Sequence, residues 1–400
     1  MELSVCYSER SEEWQILLDI VETNYEAVLR TDMKNKKKSW FLFFVLLPFF
    51  LQAGAGNICD FTVEAQEADL QPWDTIEYRV FVAVDKAAVE HWGGKASYQA
   101  KLNAFFNQMN DFWNKAGDGR FNYYFRYLPD LQVVYDCSSR QLENIYRKSA
   151  GFPNHDVLLI IDSLLDFDDE EGAAGWYCGG GADNLSIVVC RSRSKTEHED
   201  LFGIDYFHRG LAHEFGHYRG VTDLYADRIL AEKNPVNHLR YEPEACVMNS
   251  HYNTYKWSSY AVNIINHTAK SKRPGRDFPG LFKQMFPENI LVSVKVKGKN
   301  KKGVKLNLYG SRAQFNDLIA VPYRTYEMDK KGDFLITDVS NLYDNPAKPL
   351  NVDELPYNRW FTFLLEAEYE GQKKYVWLPE YEVQQAFFEN KDTYQVAIDF

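Results

Sequence analysis

The sequence predicts an α/β (α+β) domain with a twisted mixed sheet, followed by a small all-β sandwich. Between residues 75 and 217, β-branched or apolar runs alternate with helical stretches, an order typical of an α/β core. After about residue 287, short strands of alternating polarity are separated by turn residues. The 400 residues exceed what one hydrophobic core usually holds, so we expect two domains, at 75–286 and 287–400.

The segment ahead of these domains has the features of an export signal. A basic stretch at 33–38 is followed by an apolar run at 40–51, interrupted only by Pro48, and then by small residues at 53–55. This order predicts a signal peptide at 33–55 that is cleaved at its end. The apolar run is too short to span a bilayer, so no stable membrane span is expected after cleavage.

The predicted signal peptide also indicates what the segments on either side of it are. Residues 1–32 are polar and are expected to be a mis-annotated N-terminal extension, whereas 56–74 lack periodicity and are expected to form a leader strap. The mature protein is then expected to be secreted, periplasmic or at the cell surface. A second interpretation keeps 1–32 as a short cytoplasmic tail before an uncleaved anchor.

Local patterns assign the elements of the first domain in turn. Residues 75–85 are β-branched and aromatic, which predicts a strand. Residues 98–116 carry large apolar side chains at helical spacing, which predicts a helix packed on a core. There follow a predicted strand at 120–128, a helix at 138–150 capped by Ser138, and a buried strand at 157–161.

The loop after the last of these strands carries an acidic cluster: Asp166, Asp168, Asp169, Glu170 and Glu171. It lacks the spacing of an EF-hand, so we expect a solvated loop rather than a calcium site.

The most informative segment has the sequence HEFGHYRGVTD. On a helix, His213 and His217 lie one turn apart on the same face, the separation that two ligands of one zinc ion require. Glu214 follows the first histidine and is placed to accept a proton from a water activated by the metal. Gly220 allows the helix to end with a positive φ and the chain to return Asp223 to the same ion. The sequence therefore predicts a Zn²⁺ ion with three protein ligands and one open position.

An apolar stripe supports the helix independently, because Phe207, Leu211 and Phe215 recur every four residues. Two other interpretations of the histidines stay open. One is a helix with two solvated histidines and no metal. The other takes Glu242 or Glu244 as the third ligand, as in thermolysin-like enzymes, and leaves the glycine and the aspartate without a role.

The pattern HExxHxxGxxD resembles the zinc motif of metzincin metallopeptidases, in the variant with aspartate as third ligand that occurs in snapalysin-like proteases and is related to IgA-peptidase-like enzymes. The resemblance covers about residues 75–265. It implies that Met248, in the segment ACVMN, forms a methionine turn beneath the zinc. It also implies a substrate-binding edge strand, for which residues 172–189 are the candidate. Some members carry a tyrosine two residues after the methionine; here Ser250 takes that place, and Tyr252 or Tyr255 could substitute.

What the resemblance implies is a secreted zinc-dependent endopeptidase that acts on a protein or peptide substrate. Two alternatives stay open: a zinc amidase acting on a non-protein amide such as peptidoglycan, and a non-catalytic binding or adhesion protein on the same scaffold. A degenerate site would be expected to lose its general base, whereas this chain keeps Glu214 beside the ligands. The net charge of −12 argues against a nucleic-acid partner, and we favour a monomer.

Five cysteines would remain after signal cleavage: Cys59, Cys137, Cys178, Cys190 and Cys246. Export makes disulfides feasible, and Cys178 and Cys190 are the predicted pair because they bracket a glycine-rich turn and a strand. Cys59 lies close to the new N-terminus, where lipid attachment or zinc ligation in a latent form are alternatives. The residues before it do not resemble a lipobox, so a plain free or paired cysteine is expected.

Beyond residue 287 the polarity alternates with a period of two. Three valines at 292, 294 and 296 alternate with polar residues, a turn follows at 298–303, and 304–308 alternate again. This pattern predicts a hairpin with one solvated basic face. Further strands are expected at 360–369 and 394–400. The set is similar to the transthyretin-like or immunoglobulin-like sandwiches appended to secreted bacterial peptidases.

Overall fold

The computed structural model describes residues 74–148, 155–162, 176–180, 187–192, 202, 207–250, 254–312, 315–328, 333–344 and 359–400. The expected signal peptide with its flanking segments, the acidic loop, Cys59 and Tyr252 lie outside these residues. Within the described ranges, no helix combines the length and hydropathy needed to cross a bilayer. Contacts along the chain gather Leu70–Phe400 into one compact unit.

The first half of the described chain mixes strands and helices. In chain order its elements are β1 (Thr75–Asp85), α1 (Lys86–His91), α2 (Lys95–Ala116), β2 (Tyr124–Tyr135), α3 (Ser139–Lys148), β3 (Val157–Asp162), β4 (Trp176–Gly180), β5 (Ile187–Ser192), α4 (Phe207–Tyr218), α5 (Val247–Ser250), α6 (Ser259–Thr268), α7 (Pro274–Asp277) and α8 (Leu281–Gln284). Short 3₁₀ helices at Leu224–Asp227 and Ala231–Lys233 lie between α4 and α5.

The strands of this half form one mixed sheet in the order β2-β1-β3-β5-β4. β1 runs parallel to β2 and β3, β3 runs parallel to β5, and β4 lies antiparallel at the edge. Alternate residues of β1 face opposite sides: Val80 and Val82 join the core that contains α2 and α4, whereas Phe81 and Ala83 pack toward Leu142 of α3. Both faces of the central strands are therefore covered, which explains their continuous apolar runs. The mixed α/β architecture is confirmed.

The second strand differs from its predicted position at 120–128, because β2 begins at Tyr124 and ends at Tyr135. A turn delays the strand, since Asp118 and Gly119 have φ values of 52° and 69°. The strand then continues through Pro129, which lacks an N–H group. Within the described ranges β2 pairs on one side only, with β1, and such an edge strand tolerates proline.

The second half of the described chain is dominated by strands. Its elements are β6 (Asn289–Val296), β7 (Lys299–Asn300), β8 (Val304–Arg312), β9 (Asp317–Leu318), β10 (Arg324–Met328), β11 (Asp333–Thr337), α9 (Val339–Asp344), β12 (Thr362–Tyr369), β13 (Gln372–Pro379), α10 (Glu380–Phe388) and β14 (Thr393–Asp399). One sheet has the order β10-β8-β12-β13 with β9 beside β8, and the other has the order β11-β6-β14 with β7 beside β6.

Two expectations for this half are wrong. β6 and β8 do not form a hairpin, because β6 pairs with β11 and β14 whereas β8 pairs with β10 and β12. Alternation fixes which face of a strand is apolar but not which strand lies beside it. The half is also not all-β, because Leu342 and Tyr343 of α9 and Val383 of α10 pack into the core that the two sheets share.

Polar and aromatic contacts join the second half to the loop after α4. Thr222 Oγ1 donates to Glu380 Oε1 at 3.2 Å, and the hydroxyl of Thr362 donates to buried Asp227. Tyr381 of α10 packs into the core of the first half. The expected boundary near residue 287 therefore runs through one compact unit, and independent folding of 287–400 stays a prediction.

Candidate metal centre

The candidate metal centre is built on α4, whose apolar stripe is buried as the sequence predicts. Phe207, Leu211 and Phe215 lie in the core of the first half, and the ring of Phe215 stacks on Tyr127 with centroids 4.6 Å apart. This packing fixes the rotation of α4 about its axis. The opposite side of the helix carries His213 and His217.

The structure brings His213, His217 and Asp223 together. Asp223 Oδ1 lies 3.1 Å from the Nε2 atom of each histidine, and the three potential ligand atoms lie within 4.8 Å of one another. Gly220 makes the return of the chain feasible: its φ is 96°, and a Cβ there would lie 2.9 Å from Leu281 Cδ2. A side chain at this position would be strained and crowded.

Backbone carbonyl groups orient both imidazole rings. His213 Nδ1 lies 2.9 Å from the carbonyl oxygen of Val247, and His217 Nδ1 lies 2.8 Å from that of Val221. Because a carbonyl can only accept, each Nδ1 is assigned as the protonated nitrogen. With Nδ1 bonded in this way, Nε2 of each ring faces Asp223, the orientation that metal-ligating histidines adopt.

The electrostatics of this group favour a shared cation. Asp223 Oδ1 is buried and has no hydrogen-bond partner among the described residues, although two imidazole nitrogens face it. Burial acts to lower the pKa of His217, but Asp223 and Glu214 raise this pKa to about 9. Burial acts to raise the pKa of Asp223, but the two histidines hold it well below its usual range. The two imidazole nitrogens and the carboxylate oxygen can each donate an electron pair, and together they favour a positive charge between them. This ligand set fits a zinc ion.

Glu214 and Met248 are both buried, the first within α4 and the second against it. Glu214 is buried in α4, and its charge acts on His217. Met248 is fully buried in α5, beneath the helix: a Cβ at Gly216 would lie 2.7 Å from the Met248 sulfur and 3.3 Å from Trp257. Gly216, between the two histidines, is therefore the residue that allows the methionine to approach. Its role could have been inferred from a glycine inside a helix, which is otherwise unfavourable.

Neither alternative third ligand belongs to the trio. Glu242 is an exposed residue that accepts hydrogen bonds from Arg228 and Arg240, and these bonds lower its pKa although burial acts to raise it. Glu244 is also exposed. In the described part of the chain, the trio His213, His217 and Asp223 is the group of acidic, histidine or cysteine side chains close enough to hold a metal ion.

One tyrosine that the sequence analysis missed contacts the metal centre. The hydroxyl of Tyr225 donates to Asp223 Oδ2 at 2.8 Å, and its ring lies nearly parallel to that of His213, with centroids 6.4 Å apart. The sequence predicts such a tyrosine in the segment after Met248. There Tyr255 is 68% exposed and lies beside Arg209. The spacing Asp-x-Tyr is the sequence feature that indicates a contact between Tyr225 and Asp223.

The cysteines differ in state. Cys190 is disulfide-bonded, and the register of β4 and β5 places Cys178 directly opposite it. The pairing of these two residues stays a prediction. Cys137 is free and exposed, and Cys246 is free and buried.

A cleft of about 570 Å³ lies beside the ligands. His217 and Asp223 contribute to one part of its wall, and another part is formed by Pro274, Gly275, Phe278, Gly280, Leu281 and Phe282. Arg359 and Phe361, from the second half of the chain, complete the lining. The fold and the site therefore define a mixed α/β protein with a candidate two-histidine, one-aspartate metal centre at the wall of a cleft.

Comparison with protein-family models and with characterised proteins gave no match. Among solved structures, the chain is similar to wild-type OgpA from Akkermansia muciniphila, with a TM-score of 0.30, 12% identity and coverage of 81% of this chain and 98% of that chain. Catalytically inactive OgpA in complex with an O-glycopeptide substrate, glycodrosocin, gives a TM-score of 0.30, 10% identity and coverage of 79% and 96%. At this TM-score the similarity supports no conclusion about the present chain.

Proposed function

We propose that this protein is an exported, zinc-dependent peptidase that hydrolyses peptide bonds. The observation that carries the proposal is the convergence of His213, His217 and Asp223, with both Nδ1 atoms held by carbonyl groups and Glu214 next to the first ligand. Two imidazoles and one carboxylate are a ligand set typical of hydrolytic zinc sites that keep one position open.

Each residue has a distinct role in this proposal. His213, His217 and Asp223 would hold the ion. Zinc, when bound, would act as a Lewis acid that polarises a carbonyl group and lowers the pKa of water. Glu214 accepts a proton on its carboxylate and delivers it to the leaving amine nitrogen. Met248 takes no part in the chemistry and supports the helix from below.

The edge strand β4 is the proposed docking site for the substrate backbone. β4 pairs with β5 on one side only within the described residues, and α4 packs against both strands. An unpaired strand edge offers alternating N–H and C=O groups to an extended peptide. The peptide would thereby lie alongside α4, the helix that carries His213 and His217.

The proposal that the protein is exported rests on the signal-peptide pattern at 33–55. The disulfide at Cys190 supports it, because stable disulfides form in oxidising compartments.

The test separates the general base from the ligands. We expect purified wild-type protein to bind about one zinc ion and to cleave casein. Glu214→Gln should keep the zinc and lose activity by about 10²–10⁴-fold, because the base acts on a proton and not on the ion. His217→Ala should lose both, and His91→Ala, at an exposed position in α1, should keep both. Zinc is counted by mass spectrometry after dialysis. If Glu214→Gln loses zinc as fully as His217→Ala, Glu214 is a ligand and the proposed mechanism is wrong.

A further inference from the structure

The cleft beside the candidate metal centre is lined by apolar side chains together with one arginine. Phe278, Leu281 and Phe361 contribute apolar surface to its lining. Arg359 also lines the cleft and keeps 16% of its side-chain surface exposed. A volume of about 570 Å³ lies within the usual range of ligand pockets.

The surroundings of Arg359 hold its side chain in place. Its guanidinium carbon lies 4.1 Å from the ring centroids of both Phe282 and Phe361. The two rings cover the guanidinium group and leave its edge, where the N–H groups project, for polar partners. Such a pre-positioned arginine loses little conformational entropy when it binds a ligand.

The polar partners of Arg359 do not use all of its N–H groups. Nη2 donates to Glu380 Oε1 at 3.1 Å, whereas Nε is buried and has no hydrogen-bond partner among the described residues. A guanidinium has five N–H donors and binds carboxylates with two of them at once. The geometry therefore leaves donors for a second carboxylate.

Nearby acidic groups do not fully neutralise this cation. Glu380 and Asp227 are both fully buried. Burial raises the pKa of Glu380 to about 7, and burial together with the charge of Glu380 raises the pKa of Asp227 well above its usual range. At neutral pH the two buried carboxyl groups therefore carry less than two negative charges.

We propose that this cleft is a substrate subsite that binds a carboxylate group, with Arg359 as the residue that recognises it. The inference rests on the proposed peptidase function and names the class of substrate. The carboxylate is either the side chain of an aspartate or glutamate close to the scissile bond or the C-terminus of a peptide. In both cases apolar contacts with the lining of the cleft accompany one charged contact with Arg359.

The test measures binding separately from hydrolysis, on the full chain. Zinc-loaded Glu214→Gln protein is titrated with fluorescein-labelled octapeptide pools that carry Glu or Gln at one fixed position, or a free or amidated C-terminus. We expect one matched pair to show about tenfold tighter binding of the carboxylate form, the gain of one charged hydrogen-bond pair. The pair that responds identifies a side chain or a C-terminus as the source of the carboxylate.

Substitution then assigns the preference to Arg359. In the Glu214→Gln background, Arg359→Gln should reduce the ratio of the two affinities to near one. Arg126→Gln, which changes an exposed arginine of β2, should keep the full ratio. If loss of Arg359 leaves Glu380 buried without a partner and prevents folding, the double variant Arg359→Gln, Glu380→Gln removes both charges and should give the same loss of preference.

The outcomes separate this proposal from the peptidase function. Equal binding of all matched pairs, or a preference that survives loss of Arg359, would overturn the carboxylate subsite even if the wild type cleaves peptides. A carboxylate preference that depends on Arg359 without any hydrolysis by the wild type would support the subsite and reject the peptidase.

Discussion

At the scale of single residues, the candidate metal centre includes a side chain that contacts a proposed ligand without being one. Tyr225 donates to Asp223 Oδ2 and leaves Oδ1 to the two imidazoles. Tyr225→Phe should weaken zinc binding by about tenfold, because partners that orient a ligand typically contribute a factor of this size. Competition with a chelating dye measures the affinity. Tyr255→Phe, at an exposed position, is the control. Unchanged affinity in both variants would show that Tyr225 does not orient the carboxylate.

The third ligand is tested in the same way. Asp223→Ala should release zinc during dialysis, whereas Glu242→Ala and Glu244→Ala should retain it, because both glutamates are exposed and outside the trio. Metal analysis of the dialysed proteins shows whether Asp223 or one of the glutamates is the third ligand. Zinc that stays with the Asp223 variant and leaves a glutamate variant would support the thermolysin-like ligand set.

At the scale of elements, the contact between α4 and α5 is close because residue 216 has no side chain. A Cβ there would lie 2.7 Å from the Met248 sulfur. Gly216→Ala should therefore lower the free energy of unfolding by about 1–3 kcal/mol, the usual cost of overpacking a core. Urea denaturation measures this loss. The same substitution should cost less in a Met248→Ala background, which makes room for the added methyl group. Equal costs in both backgrounds would mean that the methionine is not the obstacle.

Elements also differ in how far the sequence alone could predict them. The metal trio lies within one short segment, so helix periodicity and one glycine are enough to bring the ligands together. Strand pairing depends on contacts distant along the chain, and alternating polarity predicted the strands β6 and β8 but not their partners. The cleft was not predicted, because Arg359 reaches it from a part of the sequence with no pattern that relates it to the histidines.

At the scale of the whole molecule, the junction between the two halves contains a buried carboxyl group that should make stability depend on pH. Burial raises the pKa of Glu380 from 4.5 to about 7, against the lowering effects of Arg359 and Thr222. Between these values the folded state binds more protons than the unfolded state. The free energy of unfolding should therefore fall as the pH rises from about 4.5 to about 7.

Glu380→Gln should remove much of this fall. Urea denaturation at several pH values, with a chelator present to exclude metal binding, measures the slope. Glu389→Gln, an exposed position with a lowered pKa, should leave the slope in this window unchanged. A slope that is the same in Glu380→Gln and in the wild type would show that Glu380 does not titrate there.

The two halves should also differ when they are produced separately. Residues 287–400 have a hydrophobic core of their own and should unfold cooperatively and bind no zinc. A fragment of residues 75–286 lacks Tyr381, which packs into its core, and Glu380, which accepts a hydrogen bond from Thr222. This fragment should be less stable and bind zinc more weakly than the full chain. Calorimetry and zinc titration of both fragments test this. Full stability and affinity in the 75–286 fragment would show that the junction does not support the metal centre.

The hydrogen bond between Thr222 and Glu380 joins residues 158 positions apart. During synthesis, the proposed metal ligands leave the ribosome long before Glu380, and domains otherwise fold as their residues emerge. A nascent chain therefore carries the proposed third ligand on a loop that Glu380 does not yet contact. We therefore expect the proposed peptidase to become active only after α10 has been synthesised, which would protect the incomplete chain from hydrolysis by its own metal centre.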